Sequence, residues 1–122
     1  MPYVDGFVIP IPKKKVEEYR RIARKAGRIW LEYGALEYRE CIGEDLDNPM
    51  GDSFPRRMRV KRGETVAFSW IVYRSRTHRD RVNRRVMKDP RLAAMMDPDD
   101  QPFELKRMVY GGFETIVDLT QR

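Results

Sequence analysis

Residues 64–73, ETVAFSWIVY, constrain the fold more than any other stretch of this chain. The run is rich in β-branched and aromatic residues, which marks a strand, and successive strand side chains point to opposite faces of a sheet. Val66, Phe68, Trp70 and Val72 then share one face, and Ala67, Ser69, Ile71 and Tyr73 the other. Both sets are largely apolar, so the sheet holding this strand has to be covered on both sides. Residues 3–11, YVDGFVIPI, ending at Pro12, behave in the same way, with Val4, Gly6 and Val8 opposed to Tyr3, Asp5, Phe7 and Ile9. Residues 108–119, MVYGGFETIVDL, set Val109 and Phe113 against Tyr110 and Ile116 as a final strand.

Helical periodicity fills the intervals. From Lys13 to Tyr33 the positions Val16, Tyr19, Ile22, Ala23, Ala26, Ile29, Trp30 and Tyr33 recur at steps of three and four, and Gly34 follows as a stop. Residues 35–42, ALEYRECI, alternate imperfectly and predict a second, less buried edge strand. Residues 43–63 are turn-rich, then basic, and predict a long, mobile connection with room for a short strand. In THRDRVNRRVMKDPR, residues 77–91, Val82, Val86 and Met87 form a narrow apolar stripe that ends at Pro90. Thr77 and Asp80 predict an N-cap pair, with Ser75 as a competing cap. RLAAMM, 91–96, reads as a short apolar turn. The order βαββαβ predicts an α+β, ferredoxin-like domain, with an antiparallel sheet and two helices on one face.

Two helices cover one face only. The other would leave several aromatic and aliphatic side chains in water, and burial worth about 25 cal/mol per Å² favours association. One solution is a second copy packed sheet to sheet, the dimeric α/β barrel, in which a small-molecule pocket often forms between a sheet and its helices. The other is single-stranded RNA stacked on aromatics. That signature needs a basic residue, glycine and an aromatic in succession. Here Arg62 and Gly63 lead into Glu64, Thr65 and Val66, Phe68 and Trp70 arrive out of register, and Asp5 between Tyr3 and Phe7 would repel phosphate. Nucleic acid is therefore the weaker expectation, and a homodimer the stronger.

Composition adds limits. A length of 122 residues with 41% hydrophobic content suits one domain spanning 1–122. The single cysteine, Cys41, has no internal partner, and no basic start with an apolar leader is present, so a cytoplasmic setting is expected. Charged residues interrupt every stretch that approaches the roughly 18 apolar residues of a membrane span, so no membrane partner is expected. A net charge of +6 would suit an anionic partner, but the 25 basic residues are interleaved with 19 acids, as on an ordinary solvated surface.

Five local motifs together resemble the YbaA-like family of uncharacterised bacterial proteins (domain of unknown function 1428). They are YVDGFV at 3–8, FSW at 68–70, RD followed two residues later by Asn at 79–83, MKDPR at 87–91 and YGGFE at 110–114. The resemblance runs nearly end to end. It implies a dimeric α/β barrel and no particular reaction. It also implies an apolar residue at position 78, from which His78 departs.

The chemistry candidates are few. Asp5 is a carboxylate inside an apolar strand, where burial raises a pKa, and it is the expected acid/base. Glu114 shares a face with Tyr110 on the last strand, which a ferredoxin-like order places beside the first. For both acids the plainer alternative is a carboxylate held by an arginine, a backbone donor or a second subunit. His78 lies on the inner stripe of the second helix, in its positive first turn, which disfavours protonation. It is either a second-choice base or a hydrogen-bonded histidine closing the helix start. Phe7, Phe68, Trp70 and Tyr110 would line a pocket or a dimer interface, with Ser69 as a polar handle. Gly111 and Gly112 suggest a bulge or the close approach of another backbone.

One His and one Cys supply no metal-ligand set, and no cofactor is implied. The expected role is binding or modest transformation of a small organic molecule. The alternatives are a non-enzymatic homodimeric interaction module and, third, a single-stranded RNA binder.

Overall fold

The computed structural model describes residues 1–121. Strands β1 (Tyr3–Pro12), β2 (Glu37–Ile42), β3 (Glu64–Tyr73) and β4 (Val109–Glu114) form one antiparallel sheet in the order β2-β3-β1-β4. Helices α1 (Val16–Glu32), α2 (Phe54–Arg57), α3 (Arg76–Met87) and α4 (Pro90–Met95) complete an α+β fold. β1 and β3 are the central strands and pair along their whole length, Tyr3 opposite Tyr73 through to Pro12 opposite Glu64. β4 reaches only from Tyr3 to Val8 along β1. Pro10 and Pro12 lie past its end, where no second neighbour calls for the N–H that proline lacks.

The core lies between the helices and one sheet face. Ile9 and Ile11 of β1 pack with Ala67 of β3 and with Tyr19 and Ala23 of α1. Ile71 and Tyr73 of β3 pack with Ile29 of α1, Val82 and Val86 of α3, and Leu92 of α4. Val82 and Val86 are fully buried, so the narrow stripe expected of this arginine-rich helix is its anchor. The chain leaves α1 through Gly34, whose φ of +112° a side-chain-bearing residue rarely adopts.

Several local expectations are corrected. The cap of α3 is Ser75, whose hydroxyl accepts the His78 N–H, because the helix begins at Arg76, one residue before Thr77. The 43–63 connection carries the one-turn helix α2, capped by Ser53 with Pro55 in its first turn, where a short strand had room. RLAAMM belongs to α4: the Asp89 carboxylate caps it and Pro90 opens it. The last strand ends at Glu114, so Ile116 is no part of a strand face. β4 runs in regular register through Gly111 and Gly112 without a bulge. A Cβ at Gly112 would run into the Tyr3 side chain, so the close approach there is made by a ring within the same chain.

The sheet face away from α1 and α3 is partly bare. Phe68 and Trp70 meet edge to face at 5.7 Å, and Phe54 of α2 touches Phe68. Phe113 on β4 is 60% exposed, and Val109 is similarly open. Beyond β4 the segment 115–121 runs without regular structure and leaves Ile116, Val117 and Leu119 in solvent.

Candidate functional site

Asp5 is the third residue of β1, on the helix-covered face, and is 5% exposed. Two of the sequence motifs meet around it. Arg79 of α3 brings Nη1 to 3.7 Å from the Asp5 carboxylate, too far for a hydrogen bond, and Asp5 Oδ1 has no donor. The same guanidinium donates to the Tyr3 hydroxyl at 3.1 Å and lies 4.9 Å over the Tyr3 ring. Asn83, one helical turn on, accepts from Trp30 Nε1 and from the Tyr73 hydroxyl, both at 3.0 Å. Burial raises the Asp5 pKa, and Arg79, Asn83 and Tyr73 oppose it. Chemically this is a buried polar tie between β1 and α3.

Glu114 stands on the adjoining strand, opposite Tyr3, while Gly112 is opposite Asp5. The two acids are therefore neighbours on one face, as the topology led us to expect, but Glu114 is exposed and Asp5 is not. His78 is buried at the start of α3. Its Nδ1 accepts the Arg74 N–H at 3.0 Å, which leaves the proton on Nε2, and Nε2 lies beside Gly34. Burial, with Arg74 and Arg81 nearby, holds its pKa below the ordinary histidine value. The imidazole is thus neutral and bound to the backbone, and its ring meets Tyr73 edge-on.

The aromatic candidates divide between the two faces. Phe7 stacks on Tyr110 at 5.7 Å on the helix side, with Tyr110 67% exposed. Phe68 and Trp70 lie on the bare side, where Trp70 Nε1 donates to Glu37 at 2.7 Å and Arg39 lies over the indole. Trp70 and Tyr110 consequently cannot wall one pocket within a single chain. Ser69 is buried on the helix side.

A cleft of about 450 Å³ opens between α1 and β2, and the sequence reading had missed it. Its floor is Glu40, half-buried on the inward face of β2. The Tyr19 hydroxyl donates to Glu40 Oε1 at 2.6 Å and the Tyr38 hydroxyl to Oε2 at 3.0 Å. Ser69, opposite Glu40 in the β2–β3 register, stands beside the same carboxyl. Burial raises the Glu40 pKa against these hydrogen bonds, and burial next to Glu40 pushes both phenols far above their usual value. Gly27 lets the Tyr38 ring lie directly against α1, since a Cβ there would come within 2.6 Å of it. Val16, Ala23 and Ile42 supply apolar wall, and Arg20, Arg24 and Arg28 line the mouth. A carboxyl poised between two phenols can accept a proton, or donate one once protonated.

The signal for this cleft was present in EYRECI, where Glu40 alternates with Tyr38 and Ile42. Reading β2 as a weakly buried edge strand made Glu40 look solvated, and Tyr19 was counted only as part of an apolar stripe. Among the described residues no group of three His, Cys, Asp or Glu gathers to hold a metal ion. No described helix is long and apolar enough to cross a membrane.

Comparison with known proteins gives a family before it gives a function. The model of a family described as "Protein of unknown function (DUF1428)" matches residues 2–105. The chain is 42% identical over 118 residues to "Uncharacterized protein YbaA" of Escherichia coli K12 and, equally, of Shigella flexneri, covering 97% of this chain and 99% of each relative. Among solved structures it is similar to an uncharacterized NIPSNAP domain protein from Burkholderia xenovorans. That match has a TM-score of 0.61 at 18% identity and covers 98% of this chain and 99% of the other. At that identity the likeness is one of fold.

Proposed function

The chain belongs to the DUF1428 family, and on that premise we propose that it is a ferredoxin-like, dimeric α/β-barrel protein that binds or modestly transforms a small organic molecule in the α1–β2 cleft. The observation that carries this reading is the Glu40 carboxyl, gripped by two tyrosine hydroxyls at the floor of a cleft with apolar walls. A volume near 450 Å³ falls within the roughly 300–1,000 Å³ of small-molecule sites. Asp5 and His78 fit the role less well. Asp5 is enclosed by Tyr3, Arg79 and Asn83, and the His78 Nδ1 is committed to the backbone.

The strand order β2-β3-β1-β4 supports the ferredoxin-like reading. The bare face holding Phe68, Trp70, Val109 and Phe113 supports a second copy packed sheet to sheet. The lone Cys41 is in keeping with a reducing, cytoplasmic setting. A non-enzymatic homodimeric interaction module is the second reading, favoured by the exposed Ile116, Val117 and Leu119 beside that same face.

A thermal-shift screen of small metabolites, repeated on Arg20→Trp, which places a ring over the mouth from an exposed position and should leave the circular dichroism spectrum unchanged, tests the first reading. Hits that vanish in the variant support a cleft ligand, hits that persist move the ligand site out of the cleft, and none at all favours the interaction module. Light scattering at micromolar concentration should give twice the 14.6 kDa chain mass. A one-chain mass would overturn the dimer and return the open aromatic face to RNA, whose binding weakens steeply with salt.

A further inference from the structure

We propose that the α1–β2 cleft takes a small hydroxy-substituted organic carboxylate, its charged group held by Arg24 and Arg28 at the mouth and its hydroxyl by Glu40 on the floor. This rests on the reading of the cleft as a ligand site and adds the chemistry of the ligand.

The first support is the arginine row. Arg20, Arg24 and Arg28 recur every fourth residue along α1, so the three guanidiniums stand one above another along the cleft. Arg20 has a partner, Glu17, at 3.3 Å. Among the described residues no ion pair engages Arg24 or Arg28. Glu32, one turn after Arg28 and its natural helical partner, is bound instead by Arg91 at 2.6 Å. Like charges four apart destabilise a helix. The row is therefore costly to the free protein and is relieved by an anion, and a guanidinium fork matches a carboxylate with two parallel hydrogen bonds.

The second support is the floor. Glu40 already accepts hydrogen bonds from two phenols, and ionised it offers only acceptor lone pairs. The inner end of a ligand then has to donate, as a hydroxyl does. Between mouth and floor, Val16, Ala23 and Ile42 present hydrocarbon, which suits an organic body and gives inorganic phosphate nothing to fill. The groups facing Glu40 are Tyr19 from α1, Tyr38 on its own strand and Ser69 from β3, while the arginine row lines the cleft from α1. The cleft thus holds cations at one end and a proton acceptor at the other.

The test is calorimetric titration of the purified protein with a panel of hydroxy-carboxylates including 4-hydroxybenzoate, each paired with its neutral primary amide, and with inorganic phosphate. At least one acid should bind tenfold or more tighter than its amide and than phosphate. Arg24→Gln/Arg28→Gln should lose that preference while melting at the same temperature or higher, since like-charge repulsion is removed. Glu40→Gln should weaken the acid carrying the hydroxyl and leave its dehydroxylated analogue unchanged. Acid and amide binding equally, both abolished by Arg20→Trp in a variant that keeps its circular dichroism spectrum, would overturn the anion inference and leave the cleft reading standing. Phosphate binding as tightly as the acids would also overturn it. No binding by any acid or amide at millimolar concentration would overturn the carboxylate inference, and the metabolite screen alone then decides the cleft reading.

Discussion

Glu40 carries a proton longer in the folded chain than in the unfolded one, because burial outweighs the donors at its two oxygens. Its contribution to stability is therefore greatest below the unfolded carboxyl value of about 4.3 and declines as pH rises toward the higher folded value. Glu40→Gln should remove that decline and melt no lower than the parent at pH 7, read by thermal denaturation across pH; a clear loss of stability there would assign Glu40 to the scaffold. Asp89 has the opposite sign. Arg91 and then Tyr33 hold its carboxyl well below the usual range, so its contribution is present above about pH 4 and is lost as pH falls through the folded value. Asp89→Asn should flatten the acid limb of the stability profile, and an unchanged limb would place the acid sensitivity elsewhere. Asp5 was legible in the sequence because an acid amid Val, Phe and Ile is conspicuous. Glu40 was not, because its donors come from Tyr19 on another element and Tyr38 on its own, and one strand's alternation does not reveal a helix lying over it.

At the scale of elements, the signals that failed were those of beginnings and ends. Ser75 and Thr77 are both competent caps, and what selects Ser75 is where β3 stops, since the chain turns at Arg74 and the His78 imidazole takes the Arg74 N–H. Ser75→Ala should cost about 1 kcal/mol, measured as a shift in urea midpoint, whereas Thr77→Ala should cost less; the reverse ranking would move the cap. The pair Asp89–Pro90 was readable as a cap and a first helical residue. Pro90 also follows closely on the end of α3, and its role as a stop for that helix masks its role as the opening of α4. The last strand came out too long for a different reason. Apolar residues continue into Ile116 and Val117, but β1 begins at Tyr3, opposite Glu114, and past that pair a single backbone bond, from Thr115 N–H to the Pro2 carbonyl at 3.2 Å, closes the ladder.

At the scale of the molecule, the doubly apolar β3 foretold the layered α+β fold, and the proposed sheet-to-sheet dimer would cover its second face. Phe113→Glu and Phe68→Glu should each reduce the light-scattering mass to that of one chain and leave the circular dichroism spectrum unchanged, since both side chains are open to water in the single chain. A dimer surviving both would move the subunit contact off this face. The strand order also has a consequence in time. β1 precedes both of its sheet neighbours, β3 and β4, in the chain, yet it occupies the interior of the sheet. Until β3 has been translated, a ten-residue apolar strand therefore stands outside the ribosome with neither of its neighbours made, the situation in which nascent chains aggregate or recruit chaperones. Asp5, Gly6, Pro10 and Pro12 interrupt that strand, and a charge, a flexible residue and two prolines are the breaks that keep such a segment from pairing with another nascent copy.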